Sequence, residues 1–339
     1  MRQEKRATAP TKNMHSAPKR PRKKQPSSVY VFVISLCVAL SLLSAYLIAG
    51  QNGTPLAGDD MSPAAYNENN PSVSEQAPSQ PHVPAQSHHA YCDIYEYTSI
   101  YSQILTFEQL AEISNDRLLL VNMNHAIPPY ISGNLARISD YITALNADTL
   151  LDEHVLAMLR IMFDSAAGAG FTQFRVTQGF RTHEYQQMLF DTAIDRSLVA
   201  LPGHSEHQVG LAVDISYEGV NIGNSIQGAW LMENSYRYGF ILRYPAHKTH
   251  ITMVPFEPWH YRYVGQPHAY FMTRNDLVLE EYIELLKTTG NLTITFNGVV
   301  YRVYYLSGPG TTIEMPEDYS FWASSDNTGG IIVTMRRCT

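Results

Sequence analysis

The chain has 339 residues, 24 of them Lys or Arg and 31 Asp or Glu, for a formal charge of −7. Nine of the basic residues and a single Glu fall within the first 28 positions, leaving fifteen basic against thirty acidic residues beyond them. That acidic remainder, at about −15, has no electrostatic footprint for nucleic acid, and three cysteines are too few for a disulfide scaffold.

Residues 1–28, rich in Lys, Arg, Pro and Ser, read as a disordered basic tail. Residues 29–49 are uncharged and mostly apolar, long enough as a helix to cross a hydrocarbon core of ~30 Å. A secretory apolar segment is usually about 7–15 residues, so an uncleaved single-pass anchor is expected. The basic flank belongs on the cytoplasmic side and the rest of the chain outside the cell membrane. Residues 50–91 are rich in Pro, Ser, Asn, Gln and Ala without apolar periodicity and read as a linker.

The stretch from Ile94 to Ala200 reads mainly helical, with Val155, Met158, Leu159 and Met162 on one helix face. Phe171–Val176 is a strand candidate, and Thr182 is placed to cap a helix running to about Arg196. Gly210–Ile215 reads as a short buried strand, and Trp230–Tyr238 as a helix closed by Gly239. Phe240–Tyr244 and Ile251–Val254 read as strands, and Tyr282, Leu285 and Leu286 fall on a last helix. The fold class is therefore α+β, a small antiparallel sheet with flanking helices over residues 92–287. Residues 288–339 read as a small β appendage, with two β-rich runs joined by Asn297-Gly298 and a third strand at Gly330–Thr334. A structural cover is favoured over wall or partner binding for this appendage, because nothing in it resembles a site. Cys92 and Cys338 flank the folded part, where a disulfide and two lone thiols are both open.

His207, Asp214 and His260 are the candidate metal ligands. A lone His is more often a hydrogen-bonded core or surface residue than a ligand. Asp214, however, sits in an apolar run, where burial is costly unless a cation or hydrogen bonds compensate it. Two imidazoles and one carboxylate leave a fourth zinc position open, as catalytic sites do. Glu257 supplies the carboxylate that a water at such a position needs as a base. The spacing is not H-E-x-x-H and by itself leaves metal and non-metal readings balanced. His204 and Glu206, alternating with these positions, are expected to face away.

Five segments carry a resemblance: Gly179–Gln186, Pro202–His207, Gly210–Asp214, Gly239–Pro245 and Glu257–Gly265. In these residues and their order the chain resembles the VanY-type zinc D-alanyl-D-alanine carboxypeptidases, relatives of the VanX D,D-dipeptidases, over roughly residues 115–285. The resemblance implies Zn2+ on His207, Asp214 and His260, with Glu257 as catalytic base. It implies that Arg181, Gln186 and Ser205 line the substrate site. Arg181 would face the developing oxyanion or a substrate carboxylate, and Ser205 would donate to the terminal carboxylate. The family usually has Ser-Gly-Tyr before the arginine, where this chain has Gln178-Gly179-Phe180. The implied activity is removal of the C-terminal D-Ala from peptidoglycan stem peptides by a membrane-anchored extracellular enzyme whose linker lets it reach into the wall. An L,D-carboxypeptidase, an endopeptidase, a dipeptidase and a non-catalytic wall-binding ectodomain are the alternatives.

Overall fold

The computed structural model describes residues 97–338, apart from 100, 130–132, 141, 219 and 220. The predicted tail, span, linker and Cys92 lie outside the described residues. Among the described residues no helix is long and apolar enough to cross a membrane.

In chain order the main elements begin with β1 (Tyr97–Ser99), β2 (Gln103–Thr106), α1 (Phe107–Glu112), β3 (Leu135–Arg137), β4 (Leu150–Asp152) and α2 (Glu153–Gly168). β5 (Phe174–Gln178), α3 (His183–Thr192), β6 (Ala212–Tyr217), α4 (Ile226–Asn234), β7 (Phe240–Leu242), α5 (Thr249–Thr252) and β8 (His260–Tyr263) follow. The chain ends with α6 (Gln266–Arg274), α7 (Leu279–Thr289), β9 (Asn291–Phe296), β10 (Val299–Leu306), β11 (Thr312–Met315), β12 (Tyr319–Ser325) and β13 (Ile331–Arg337).

Two antiparallel sheets dominate, as an α+β reading requires. The first has four strands in the order β5-β6-β8-β7. Its buried face rests on α2, whose Val155, Leu159 and Met162 share a core with Val176, Val213, Ile215 and Tyr261. The second has five strands in the order β1-β12-β13-β10-β9. Its Ile294, Val303, Trp322 and Ile332 pack on α6 and α7 through Met272, Leu279, Tyr282 and Leu286. Phe321, Ala323, Ile331 and Val333 point to the other face and into a third cluster with Leu110 and Met315. The β12 and β13 runs are thus buried on both faces over most of their length, and Ser320, Ser324 and Thr334 are carried inside with the apolar residues.

The Asn297-Gly298 turn forms as expected, with Phe296 paired to Val299 and φ of 49° and 78° at its two residues, a type I′ hairpin. The C-terminal sheet also takes β1 as an edge strand, from the start of the described chain. Three expectations differ. The described residues between 97 and 149 are mostly short strands, turns and extended chain, with α1 as their one α-helix, where helix was expected. Within them Leu118 and Leu120 enter the core of the second sheet while Leu119 and Val121 enter that of the first. This segment is a stitch between two cores, and its unbroken apolar run hides that alternation. Ile251–Val254 is not a strand: Thr249 and Thr252 donate to the carbonyls of Ala246 and Lys248, holding a helical turn that ends at Met253 with φ 59°. The helix capped by Thr182 stops at Thr192, because Asp195 starts a separate turn by accepting from Ser197 N.

Candidate active site

The four-stranded sheet assembles the site by register. Asp214 on β6 is directly opposite His260 on β8 and opposite Gln178 on β5, so the three side chains share one face. A register shift between Val176 and Gln178 marks a bulge beside this row. His207 arrives from a 3-10 turn, Glu206–Val209, closed by Gly210 at φ 79°. The turn needs glycine for its left-handed conformation, while a Cβ there would meet the exposed Leu135 side chain at 3.0 Å.

His207, Asp214 and His260 are all buried, and one ligand atom from each lies within 4.8 Å of the others. His207 Nε2 is 3.3 Å and His260 Nδ1 3.1 Å from Asp214 Oδ1, with the two rings perpendicular at 4.9 Å. Among the described residues Asp214 Oδ1 has no hydrogen-bond partner despite its burial. A buried carboxylate oxygen flanked by two ring nitrogens and bonded to neither is what a cation-binding donor set looks like. Gly179 O lies 2.8 Å from His207 Nδ1. A carbonyl only accepts, so Nδ1 carries the proton and Nε2 faces the cluster.

The electrostatics are strongly perturbed. Burial would raise the Asp214 carboxyl, but His207 and His260 outweigh it and hold it well below the carboxylate range. Burial, helped by Arg181, pushes His207 down to about 4. Burial would lower His260, but the Asp214 and Glu206 carboxylates facing its two ring nitrogens outweigh it and lift it to about 9. Glu257 Oε2 is 3.7 Å from His260 Nδ1, with about 24% of its side chain exposed. Burial and the negative charge of Asp214 push its carboxyl up to about 7, against the opposing pull of His260.

Arg181 Nη2 lies 3.4 Å from Asp214 Oδ2, and the guanidinium also donates to Gln186 Oε1 at 3.3 Å and Gln178 Oε1 at 3.5 Å. Its backbone N donates to His207 O, tying the strand-to-helix turn to the ligand turn. Gln186 is fully buried, and its Nε2 donates to Ala200 O. It therefore reaches the site through Arg181. Ser205 begins the ligand turn without using its hydroxyl as a cap.

Glu206, expected to face away, is fully buried behind His260. Its Oε2 is 3.4 Å from His260 Nε2, while Oε1 accepts from Arg243 Nε at 2.8 Å and Arg262 Nη1 at 2.9 Å. Burial would raise this carboxyl, and the two arginines hold it well below its usual range. Sequence reasoning missed Glu206, Arg243 and Arg262. The available signal was the arginines: Leu-Arg-Tyr and Tyr-Arg-Tyr place them in buried strands, where each needs an anion. Tyr244, whose ring lies 4.8 Å from His260, also escaped notice. His204 does point elsewhere, its Nδ1 2.8 Å from Asn122 O.

Residues 148–266 match the VanY family profile, described as D-alanyl-D-alanine carboxypeptidase. The chain is 33% identical over 233 residues to a D-alanyl-D-alanine carboxypeptidase of Enterococcus faecium, covering 66% of this chain and 76% of that protein. It is 33% identical over 193 residues to the bifunctional D-Ala-D-Ala dipeptidase and D-Ala-D-Ala carboxypeptidase VanXYC of Enterococcus gallinarum, covering 51% of this chain and 96% of that one. The crystal structure of the vancomycin resistance D,D-dipeptidase VanXYg, in complex with a D-Ala-D-Ala phosphinate analog, superposes with a TM-score of 0.60 at 27% identity, over 70% of this chain and 98% of its own. On the sequence blocks, the sheet register and these matches together, the chain belongs to the VanY family of D-alanyl-D-alanine carboxypeptidases.

Proposed function

We propose that this protein is a zinc carboxypeptidase that removes the C-terminal D-Ala from peptidoglycan stem peptides, acting outside the cell from a single-pass anchor at residues 29–49. The observation that carries the reading is the convergence of His207 Nε2 and His260 Nδ1 on Asp214 Oδ1, a carboxylate oxygen without a hydrogen bond among the described residues, with Glu257 beside them. Two nitrogens and one oxygen suit zinc and leave a position for water or substrate. When bound, zinc supplies a Lewis acid that makes water nucleophilic near neutral pH and polarises the scissile carbonyl.

The remaining steps belong to the chain's own side chains. Glu257, its carboxyl at about 7, is poised to take the proton from the attacking water and return it to the leaving amine. Arg181 is fixed by Gln178, Gln186 and Asp214, so its planar fork meets the developing oxyanion or the substrate carboxylate without searching for a rotamer. Ser205 keeps a hydroxyl to donate to the terminal carboxylate. The D,D preference rests on relatives that are D-Ala-D-Ala carboxypeptidases.

The test is mass spectrometry of products from the full-length protein in detergent with zinc, offered a pentapeptide ending in D-Ala-D-Ala, the matching tetrapeptide, and free D-Ala-D-Ala. Loss of one Ala from the pentapeptide is expected. Cleavage of the tetrapeptide alone would move the assignment to an L,D-carboxypeptidase, and cleavage of the free dipeptide alone to a dipeptidase. Labelling of Cys338 by a membrane-impermeant maleimide on intact cells tests the proposed orientation, since protection until lysis would place the folded part inside.

A further inference from the structure

His207 and His260 turn different nitrogens toward the cluster, and a different acceptor stands behind each. Behind His207 it is the Gly179 carbonyl, which leaves Nε2 for the cluster. Behind His260 it is the Glu206 carboxylate, which faces Nε2 and leaves Nδ1. A fully buried carboxylate is costly unless it is compensated, and here the compensation is extensive. Arg262 spends its other donors on backbone carbonyls, Nε on that of Tyr263 at 3.1 Å and Nη2 on those of Arg117, at 3.1 Å, and Leu119, at 3.0 Å. Arg243 gives two more hydrogen bonds, at 2.9 and 2.7 Å, to Glu280 at the start of α7. Glu280 in turn accepts from Asn122. It lies beyond residues 148–266, the segment that matches the family profile.

We propose that Glu206 is the positioning residue for His260. By accepting from Nε2–H it selects the tautomer that presents Nδ1 to the metal, and the Arg243–Glu280 pair makes helix α7 part of the site's support. Glu206 touches neither substrate nor metal and acts through the imidazole. The proposal rests on the reading that His207, Asp214 and His260 hold zinc, and it adds a specific source for the geometry of the third ligand. The rival account is a buried ion network that only stabilises the fold.

Glu206→Asp separates the two. It keeps the charge that both arginines require and draws the carboxylate back from His260 by one methylene. The zinc dissociation constant of the full-length protein in detergent is measured by competition with a chromophoric chelator, beside the melting temperature of the metal-stripped form. Loss of an outer-shell partner typically weakens metal binding about 10–100-fold, and that is the expected change. Glu280→Gln is expected to give a smaller loss of the same sign. A Glu206→Asp protein that melts lower yet binds zinc as tightly as wild type would overturn the proposal, since a purely structural network predicts that pattern. If neither variant folds, the nitrogen-15 spectrum of the zinc-loaded wild type decides. One imidazole bound through Nδ1 and one through Nε2 is expected, and two bound through Nε2 would overturn it. Failure of the wild type to bind zinc at all is a different failure and would remove the metal reading itself.

Discussion

In the five-stranded sheet, buried polar side chains end on one another. Asp326 accepts from Thr328 N and Oγ1, Gly330 N and the Tyr305 hydroxyl, and His268 lies between the Tyr282 hydroxyl at 2.7 Å and Thr334 Oγ1 at 3.0 Å. In the four-stranded sheet the buried groups are carried to a point and left there. His207 and His260 converge on Asp214 Oδ1, which has no hydrogen bond among the described residues, and Glu257 rises to about 7 beside them. Burial is similar in both, so depth does not mark the functional region. What marks it is convergence. Asn115 Nδ2 and the Tyr261 hydroxyl are also buried without a partner among the described residues, but each is isolated. At the site an open carboxylate oxygen meets two ring nitrogens and a raised carboxyl.

The sharpest way to break this contrast is to remove a converging group. His260→Ala is expected to abolish stoichiometric zinc binding, and with it turnover, as read by metal analysis after gel filtration. Glu257→Gln is expected to keep zinc and lose about 10²–10⁴-fold in kcat, since it deletes the proton acceptor and no ligand. A Glu257→Gln protein with wild-type turnover would overturn the assigned base. The same variant carries a stability signature in the metal-stripped protein. Glu257 is raised from 4.5 to about 7 in the folded state, so ionising it opposes folding as pH climbs through that window. Glu257→Gln, which mimics the protonated form, is therefore expected to melt above wild type at pH 8 and to converge with it by about pH 4.5. A melting-temperature difference that grows on acidification would reverse that sign.

How much of this was legible in the sequence depends on which period governed each stretch. Asp214 was legible because it lies in a short apolar strand, where a charge stands out, while His207 and His260 were placed by the family's sequence blocks. Glu206 was not, because alternation was assumed where the chain forms a 3-10 turn. With three residues per turn the neighbour of a ligand need not face away, and Glu206 turns inward beside His207. The extended Leu118–Val121 stitch was lost for a related reason, since a segment buried on both sides shows no polar face from which to read a period. The hairpin at Asn297-Gly298 needed no tertiary information, as both residues tolerate the positive φ that the turn requires.

Between the two regions lies the ion network, and it sharpens the contrast at an intermediate size. Arg262→Met would leave Glu206 fully buried with Arg243 as its remaining arginine. Breaking a buried pair by removing one partner typically costs about 3–5 kcal/mol, so urea unfolding of the metal-stripped variant is expected to show a loss of that order. The carbonyls of Arg117 and Leu119 lose their donor in the same step, so the stitch between the cores should loosen too. A neutral result would mean that water enters the network and that the arginines are less committed to Glu206 than their distances indicate.

The smallest change tests the other half of the contrast. Asp326→Ala removes the acceptor for two backbone donors and two hydroxyls in the loop between β12 and β13. Donors left without a partner cost about 1–3 kcal/mol, reduced wherever water reaches them, and Thr328 Oγ1 and Tyr305 are only partly buried. The expected loss is therefore toward the lower end, read as a fall in denaturation midpoint. Zinc affinity and kcat should stay at wild-type values, because this hub closes on its own loop, on Tyr305 of β10 and on the Leu120 backbone without touching the cluster. If kcat fell with the midpoint, the second sheet would be transmitting strain through residues 118–121 into the first. The division between a region that satisfies its polar groups for stability and one that leaves them open for chemistry would then have to be redrawn as a single coupled unit.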